Sequence, residues 1–591
     1  MRAYHIAAIS PTLQVANVQF NLREISEKMR QADERLAKVV VFPRLCLCGC
    51  TCGDLFFQPL LIEKCMEALA GAVAVSRGKH PVYFLGMPMR IGDDLCDVAV
   101  AVRDGKVLGI IPDSCPSGEN SRYFSAPKQT EVIVFQESIP CSPDLQFDVD
   151  GKQVACVVGQ WKEGLRFKGL DLLANCASST EGVGKPDRRR KQAKMLSDAL
   201  GCVVLVCNPA WGESTSTDVY SAHNVCAKGN ILCGESLPFG KGELFVDISL
   251  NFPMETEQEK NDIKLSSTPF LPEKEDDETY RLIFEIQAHA LAKRLMHTRA
   301  KTAVIGVSGG LDSTLALLVT ARAFDILKKD RKELIAVTMP GFGTTGKTFQ
   351  NALTLIDELN ATSKTVDIKA SVLQHFRDIG HDPARLDTTY ENAQARMRTL
   401  ILMDVANATG GLVVGTGDLS ELALGWCTYN GDHMSMYSVN ASVPKTLVRY
   451  LVGYLAKKQA QTLQAVLLSV LDTEISPELL PPSKDGKIAQ KTEELVGPYD
   501  LLDFYLYHVI GENASPKQTF DLAKQAFHET YNDETLKKWL KNFYRRFFAQ
   551  QFKRSCSPDG ANIGIISFSP VKWRMPADAC ADVWLDEMEK L

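Results

Sequence analysis

Between residues 302 and 324 the chain reads TAVIGVSGGLDSTLALLVTARAF, in which a β-branched run meets a glycine pair and passes straight into a helical stretch. A strand that turns through two glycines into a helix belongs to a parallel α/β layer, where each helix returns the chain to the starting edge of the sheet. The following segments keep the alternation: LIAVTM (334–339) reads as strand, TFQNALTLIDELN as helix, and SKTVDI and GGLVVGTG as strands. This predicts a doubly wound parallel sheet that binds ligands at its strand carboxyl ends. Glycines 309 and 310 let a phosphate approach the backbone, and the helix N-terminus supplies positive potential for it.

At 591 residues the chain is too long for one hydrophobic core. Residues 1–250 also alternate short β-branched runs (KVVVFP, PVYFLGMP, KQVACVVGQW, CVVLVCNP) with helical stretches, so a first α/β domain is expected there. The charged, proline-punctuated stretch 251–279 reads as a linker, and 280–591 as the second domain. A net charge of −6 gives no basic excess for a phosphate backbone, so nucleic acid is not an expected partner. The opening MRAYHIAAISPTLQ has one basic residue and no long apolar core, and no eighteen consecutive apolar residues occur. A soluble, cytoplasmic protein without membrane contact is expected. Seventeen cysteines then read as reduced thiols. Cys46, Cys48, Cys50 and Cys52 alternate as on one face of a strand, spaced at roughly 6.6 Å per residue pair, too strung out for one tetrahedral zinc. The run RRRK at 188–191 reads as a solvated helix face, and Lys553 and Arg554 as a phosphate patch or an exposed pair.

VSGGLDST (307–314) is neither a Walker A loop nor a dinucleotide fingerprint. It resembles the pyrophosphate loop of N-type ATP pyrophosphatases, the adenine nucleotide alpha hydrolase-like fold. Residues 390–451, 475–506 and 545–560 are similar to long bacterial NAD synthetases, so the resemblance covers essentially all of 280–591. It implies a ligase that joins deamido-NAD, ATP and ammonia through an adenylated intermediate, with Mg2+ as cofactor and ATP as a substrate. It implies that Asp312, Asp432 and Lys445 are catalytic, and that Ser308, Gly310, Asp312, Ser313 and Thr416 bind ATP. Deamido-NAD falls to Asn392, Arg396, Arg398, Asp432 and Lys445, and the metal to Asp312 and Glu421. Carboxylate oxygen suits magnesium, and Asn392 and Arg396 share a helix face by their i,i+4 spacing. A homo-oligomer, dimer or larger, is implied as well.

The first 250 residues resemble the nitrilase-type glutaminase of those synthetases, an αββα sandwich, through VVVFPRLCLCGCTCGDLF, LGIIPD and NPAWGESTSTDVYSAHN. That family's glutamate, lysine and cysteine fall here on Arg44, Asp113 and Val157, counted back from Trp161. Cys156 is one residue away, and a one-residue slip on a strand turns a side chain to the other face. The leading expectation is therefore a synthetase whose amidase is inactive and which takes ammonia from solution or from a separate source. The alternatives are a fully glutamine-dependent synthetase using Cys156, or a nucleotide-binding pseudoenzyme scaffold. Arg44 and Asp113, with both charges reversed relative to the family, are expected to pair.

Overall fold

The structure, a computed structural model, describes residues 3–160, 167–249, 265–272, 276–473, 479–481 and 492–591. Trp161, most of the expected linker and much of the stretch 475–491 lie outside the described residues. The chain divides into two compact units, Met1–Lys260 and Asn261–Leu591.

In the first unit the strands are β1 (His5–Ile9), β2 (Ala37–Val41), β3 (Val82–Ile91), β4 (Asp94–Arg103), β5 (Lys106–Pro112), β6 (Glu131–Val134) and β7 (Glu137–Pro140). They continue with β8 (Gln146–Val149), β9 (Lys152–Val158), β10 (Leu172–Cys176), β11 (Val203–Cys207), β12 (Val225–Lys228), β13 (Ile231–Glu235) and β14 (Glu243–Asp247). One sheet has the order β14-β1-β2-β3-β4-β5 and the other β13-β12-β11-β10-β9-β8. Alternation sorts each strand's side chains between two cores. Ile6, Val39, Phe84, Cys156, Val158 and Leu205 meet between the sheets. Residues such as Ile9, Val40 and Leu85 pack outward with apolar residues of α1 (Val18–Glu34) and α2 (Pro59–Ser76). On the other outer face, Ala155, Val157 and Val204 pack with Ala193 of α3 (Lys185–Leu200). This is the αββα sandwich of the nitrilase-like fold.

Two local expectations fail here. The cysteine run is not a strand: residues 44–48 turn, with Leu45 at φ 54° and Gly49 at φ 93°. The thiol of Cys46 therefore donates to the carbonyl of Gly86 and that of Cys52 to Cys48, rather than lining one face. The arginine run is not a purely solvated face either. Packing α3 against the sheet buries Arg189, whose Nη2 contacts Glu181 at 2.5 Å and whose Nε donates to His223 Nδ1 at 3.0 Å.

In the second unit α4 (Asp277–Thr298) precedes β15 (Ala303–Gly306), α5 (Leu311–Leu327), β16 (Leu334–Thr338), α6 (Gly346–Glu358) and β17 (Thr362–Thr365). Then come α7 (Lys369–Ile379), α8 (Thr388–Thr409), β18 (Leu412–Gly415), α9 (Leu419–Leu424), β19 (Tyr437–Ser438) and α10 (Lys445–Ala456). The sheet order is β17-β16-β15-β18-β19, and every neighbouring pair is parallel. The chain builds outward from β15 to β17, then returns to place β18 on the other side of β15. That reversal is a topological switch point, where an open parallel sheet leaves a crevice at its carboxyl end. Helices after residue 492 pack a further apolar core of Leu502, Phe504, Leu540, Phe543 and Phe547 with Leu422 of α9.

Candidate functional site

The loops leaving β15 and β18 flank this crevice. After β15 the backbone turns at Gly309, at φ 83°, where an added Cβ would collide with the Thr348 carbonyl of α6. Only glycine fits there. Gly310 caps α5, its N–H donates to Ser308 Oγ at 3.2 Å, and Ser308 Oγ lies 3.2 Å from Ser313 Oγ. Two hydroxyls and the first turn of a helix thus collect around an anion-sized turn. After β18, Asp418 caps α9 by accepting from the Glu421 N–H at 2.8 Å.

Asp312, in the first turn of α5, meets the α9 residues at Lys445, the first residue of α10. Lys445 Nζ lies 2.6 Å from Asp312, 2.7 Å from Asp418 and 3.0 Å from Glu421, with 2% of its side chain exposed. Burial pulls the ammonium's pKa down, but the three carboxylates outweigh it and hold the pKa well above the lysine range. Burial raises Asp418 well above the carboxylate range and Glu421 to about 7, with Lys445 opposing both. One ligand oxygen from each acid lies within 4.8 Å of the others. An all-carboxylate donor set of that span fits a hard divalent cation such as magnesium.

Buried polar side chains brace this cluster. Asn440 Nδ2 donates to the carbonyls of Asp312 at 3.1 Å and Thr416 at 3.0 Å, tying the two loops together. Asp503 accepts from the Thr446 N–H at 3.0 Å at the start of α10, and the Ser420 hydroxyl bonds to it while accepting from the Lys445 N–H. Sequence reasoning missed Asp418, Asn440 and Asp503. Asp418 stands inside GTGDLSEL, where an aspartate three residues before a glutamate is a helix-cap signal; the other two carried no local signal.

Asp432 reaches Glu421 through a small cavity of about 20 Å³ lined by both, with Gly417, Cys427, His433 and Ser435. His433 Nδ1 and Ser435 Oγ are buried there without hydrogen-bond partners, and burial depresses the His433 pKa. Asn392 and Arg396 do share a face of α8, taken up by the loop 428–429: Asn392 Oδ1 accepts from Thr428 at 2.8 Å and Arg396 Nε donates to the Tyr429 carbonyl at 3.2 Å. Arg398 instead donates to the Met339 carbonyl, at the end of β16. Lys553 and Arg554 are neither a phosphate patch nor an exposed pair. Lys553 Nζ donates to the carbonyls of Gly425 and Cys427 at 2.7 Å, and Arg554, 1% exposed, to those of Leu422 and Ala423, so both brace the end of α9.

In the first unit Arg44 Nη2 donates to Asp113 Oδ2 at 3.0 Å, the anticipated pair, and Arg44 Nε donates to Asp97, which was not anticipated. Burial pushes the Asp97 carboxyl up to about 6 against the pull of Arg44. Val157 points to the α3 side and Cys156 to the core between the sheets, its Sγ 3.7 Å from that of Cys176.

A parallel sheet with its glycine turn and acidic cluster at the switch point, joined to an αββα sandwich, defines an ATP pyrophosphatase-type ligase with a nitrilase-like partner domain. The NAD synthase family profile matches residues 283–549. The glutamine-dependent NAD(+) synthetase of Mycobacterium leprae is 33% identical over 99% of this chain and 97% of its own length. That of Acinetobacter baylyi is 26% identical over 92% of this chain and 94% of its own. In fold, the crystal structure of a glutamine-dependent NAD(+) synthetase from Cytophaga hutchinsonii superposes with a TM-score of 0.82 at 18% identity, covering 99% of this chain and 100% of the other. The chain belongs to the NAD synthetase family, in the long form that carries a nitrilase-like domain before the synthetase.

The comparisons correct one expectation. A synthetase with an inactive amidase, fed by ammonia, is overturned by full-length relatives that are named glutamine-dependent throughout. Reading activity from three substituted positions, Arg44, Asp113 and Val157, gave local motif matches more weight than the resemblance of the whole domain.

Proposed function

We propose that this ligase converts deamido-NAD to NAD at the expense of ATP, with nitrogen drawn from glutamine as the names of its relatives state. The observation that carries the reading is the convergence of Asp312, Asp418 and Glu421 on Lys445 at the switch-point crevice. ATP is assigned to the turn after β15, where Ser308, Ser313 and the N–H groups opening α5 receive phosphate oxygens. Thr416, in the loop after β18, is assigned to the nucleotide, and the guanidinium groups of Arg396 and Arg398 are assigned to deamido-NAD. A magnesium ion would be held by Asp312, Glu421 and Asp418, where it offsets charge on the departing pyrophosphate.

The nicotinate carboxylate attacks the α-phosphorus and pyrophosphate leaves; ammonia then displaces AMP and gives the amide. Lys445 supplies positive charge beside the carboxyl as it becomes tetrahedral. Ammonia is assigned to the cavity beside Glu421, where the unpaired His433 Nδ1 accepts a hydrogen bond from it and Asp432 receives the proton it loses. Assembly as a homo-oligomer and residence in the cytoplasm belong to the same proposal; among the described residues no helix is long and apolar enough to cross a membrane. The test supplies purified protein with deamido-NAD and magnesium ATP, plus glutamine, ammonium or neither. Glutamine is expected to support NAD formation with release of glutamate. No NAD from glutamine above the nitrogen-free control would overturn the donor, and none from either source would overturn the reaction.

A further inference from the structure

The three carboxylates that suit a divalent cation already hold a positive charge. Lys445 Nζ contacts Asp312, Asp418 and Glu421 at 2.6, 2.7 and 3.0 Å. Magnesium takes carboxylate oxygens at roughly 2.0–2.1 Å. With one oxygen from each acid within 4.8 Å of the others, a metal held by the three oxygens that now hold Lys445 would overlap the ammonium. The metal and the lysine therefore exclude one another.

Satisfaction of the acids points the same way. Asp312 Oδ1 is buried without a hydrogen-bond partner, so the ammonium leaves acceptor capacity that a cation with several ligands would use. Asp418 cannot follow the lysine away, because its other oxygen caps α9 at the Glu421 N–H. Lys445 can move: it opens α10, and its flexible four-carbon stem swings the ammonium without shifting the helix.

We infer that Lys445 is a placeholder cation, which keeps the three acids together until a divalent metal arrives and is then expelled toward the carboxyl of the substrate. The inference rests on the synthetase reading for the destination of the lysine, but not for the exchange itself. A single positive charge among three acidic side chains gives way to a double charge, and the freed ammonium becomes available only in the metal-loaded site. Metal binding is thereby coupled to the arming of Lys445, and Asp418 becomes a third metal-holding residue.

Both sides of the exchange are measurable without substrate. Manganese binding to the full-length protein, followed by electron paramagnetic resonance without nucleotide, is expected to tighten at least tenfold in Lys445→Gln, since the competitor is gone, and to weaken at least tenfold in Asp418→Asn. Unchanged or weaker binding by Lys445→Gln would overturn the exchange. The wild-type protein keeps the test decisive should that variant not fold. Acylation of Lys445 by an N-hydroxysuccinimide ester, mapped by mass spectrometry, is expected to rise severalfold when manganese is added, and unchanged labelling would refute expulsion. Because neither readout involves turnover, failure here leaves the synthetase reading standing, and failure of NAD formation leaves this result standing.

Discussion

Each unit gathers carboxylates around one cation, and the two clusters differ in access. In the second unit Lys445 is buried, but Asp312 and Glu421 keep 22% and 19% of their side chains exposed at the mouth of the crevice. In the first, Arg44, Asp97 and Asp113 are exposed by 6%, 0% and 5%. Both arrangements cost desolvation, and only the cluster of the second unit can recover it by admitting a ligand. A partly open acidic cluster at a switch point reads as a site. A closed one reads as a structural element whose members depend on each other.

The contrast breaks most sharply at the acids. Asp312→Asn and Glu421→Gln are expected to lower NAD formation at least a hundredfold at saturating magnesium while leaving the thermal unfolding transition near that of the wild type. Near-normal turnover in either variant would remove the site assignment. In the first unit the expected loss is in stability. Arg44→Ala strands the buried Asp97 and Asp113 and should destabilise that domain by roughly 3–5 kcal/mol in chemical denaturation. Adding Asp97→Asn, which removes the most deeply buried charge, should recover part of it.

A smaller effect follows from pH. The Asp97 carboxyl is raised from 3.8 to about 6 in the folded state, so the native protein binds that proton more tightly than the unfolded chain. Its ionised form therefore costs stability above pH 6, and stability should rise as the pH falls from about 7 toward 4, by no more than about 3 kcal/mol from this group. Comparing wild type with Asp97→Asn isolates the contribution, which should be absent from the variant. An identical pH dependence in both would show that Asp97 does not carry it.

The strand–turn–helix order of the second unit was legible because it is local: SGGLDST announces a turn that only glycine can make, and β-branched runs mark the strands around it. The pairing of Arg44 with Asp113 was legible from a double charge reversal. Asp97 was not, since nothing in LCDVAVAV announces which face of β4 meets the arginine. Asn440 and Asp503 were invisible for a related reason: their partners stand far away in sequence, as Asp312 does from Asn440, and only the fold brings them together. The cysteine run misled because alternation was taken for a strand, whereas Leu45 and Gly49 adopt left-handed conformations and coil it. The half-buried Lys553 and the buried Arg554 show the same limit, because a charged pair on a short helix gives no sign of the carbonyls it will meet.

The central claim is that the crevice of the second unit activates a carboxylate by adenylation. Deamido-NAD labelled with 18O in its nicotinate carboxylate, incubated with magnesium ATP and glutamine or ammonium, tests it most directly. Attack of that carboxylate on the α-phosphorus, followed by displacement of AMP, should leave one labelled oxygen in the AMP phosphate for each NAD formed. NAD formed with unlabelled AMP, or with ADP and phosphate in place of AMP and pyrophosphate, would contradict it.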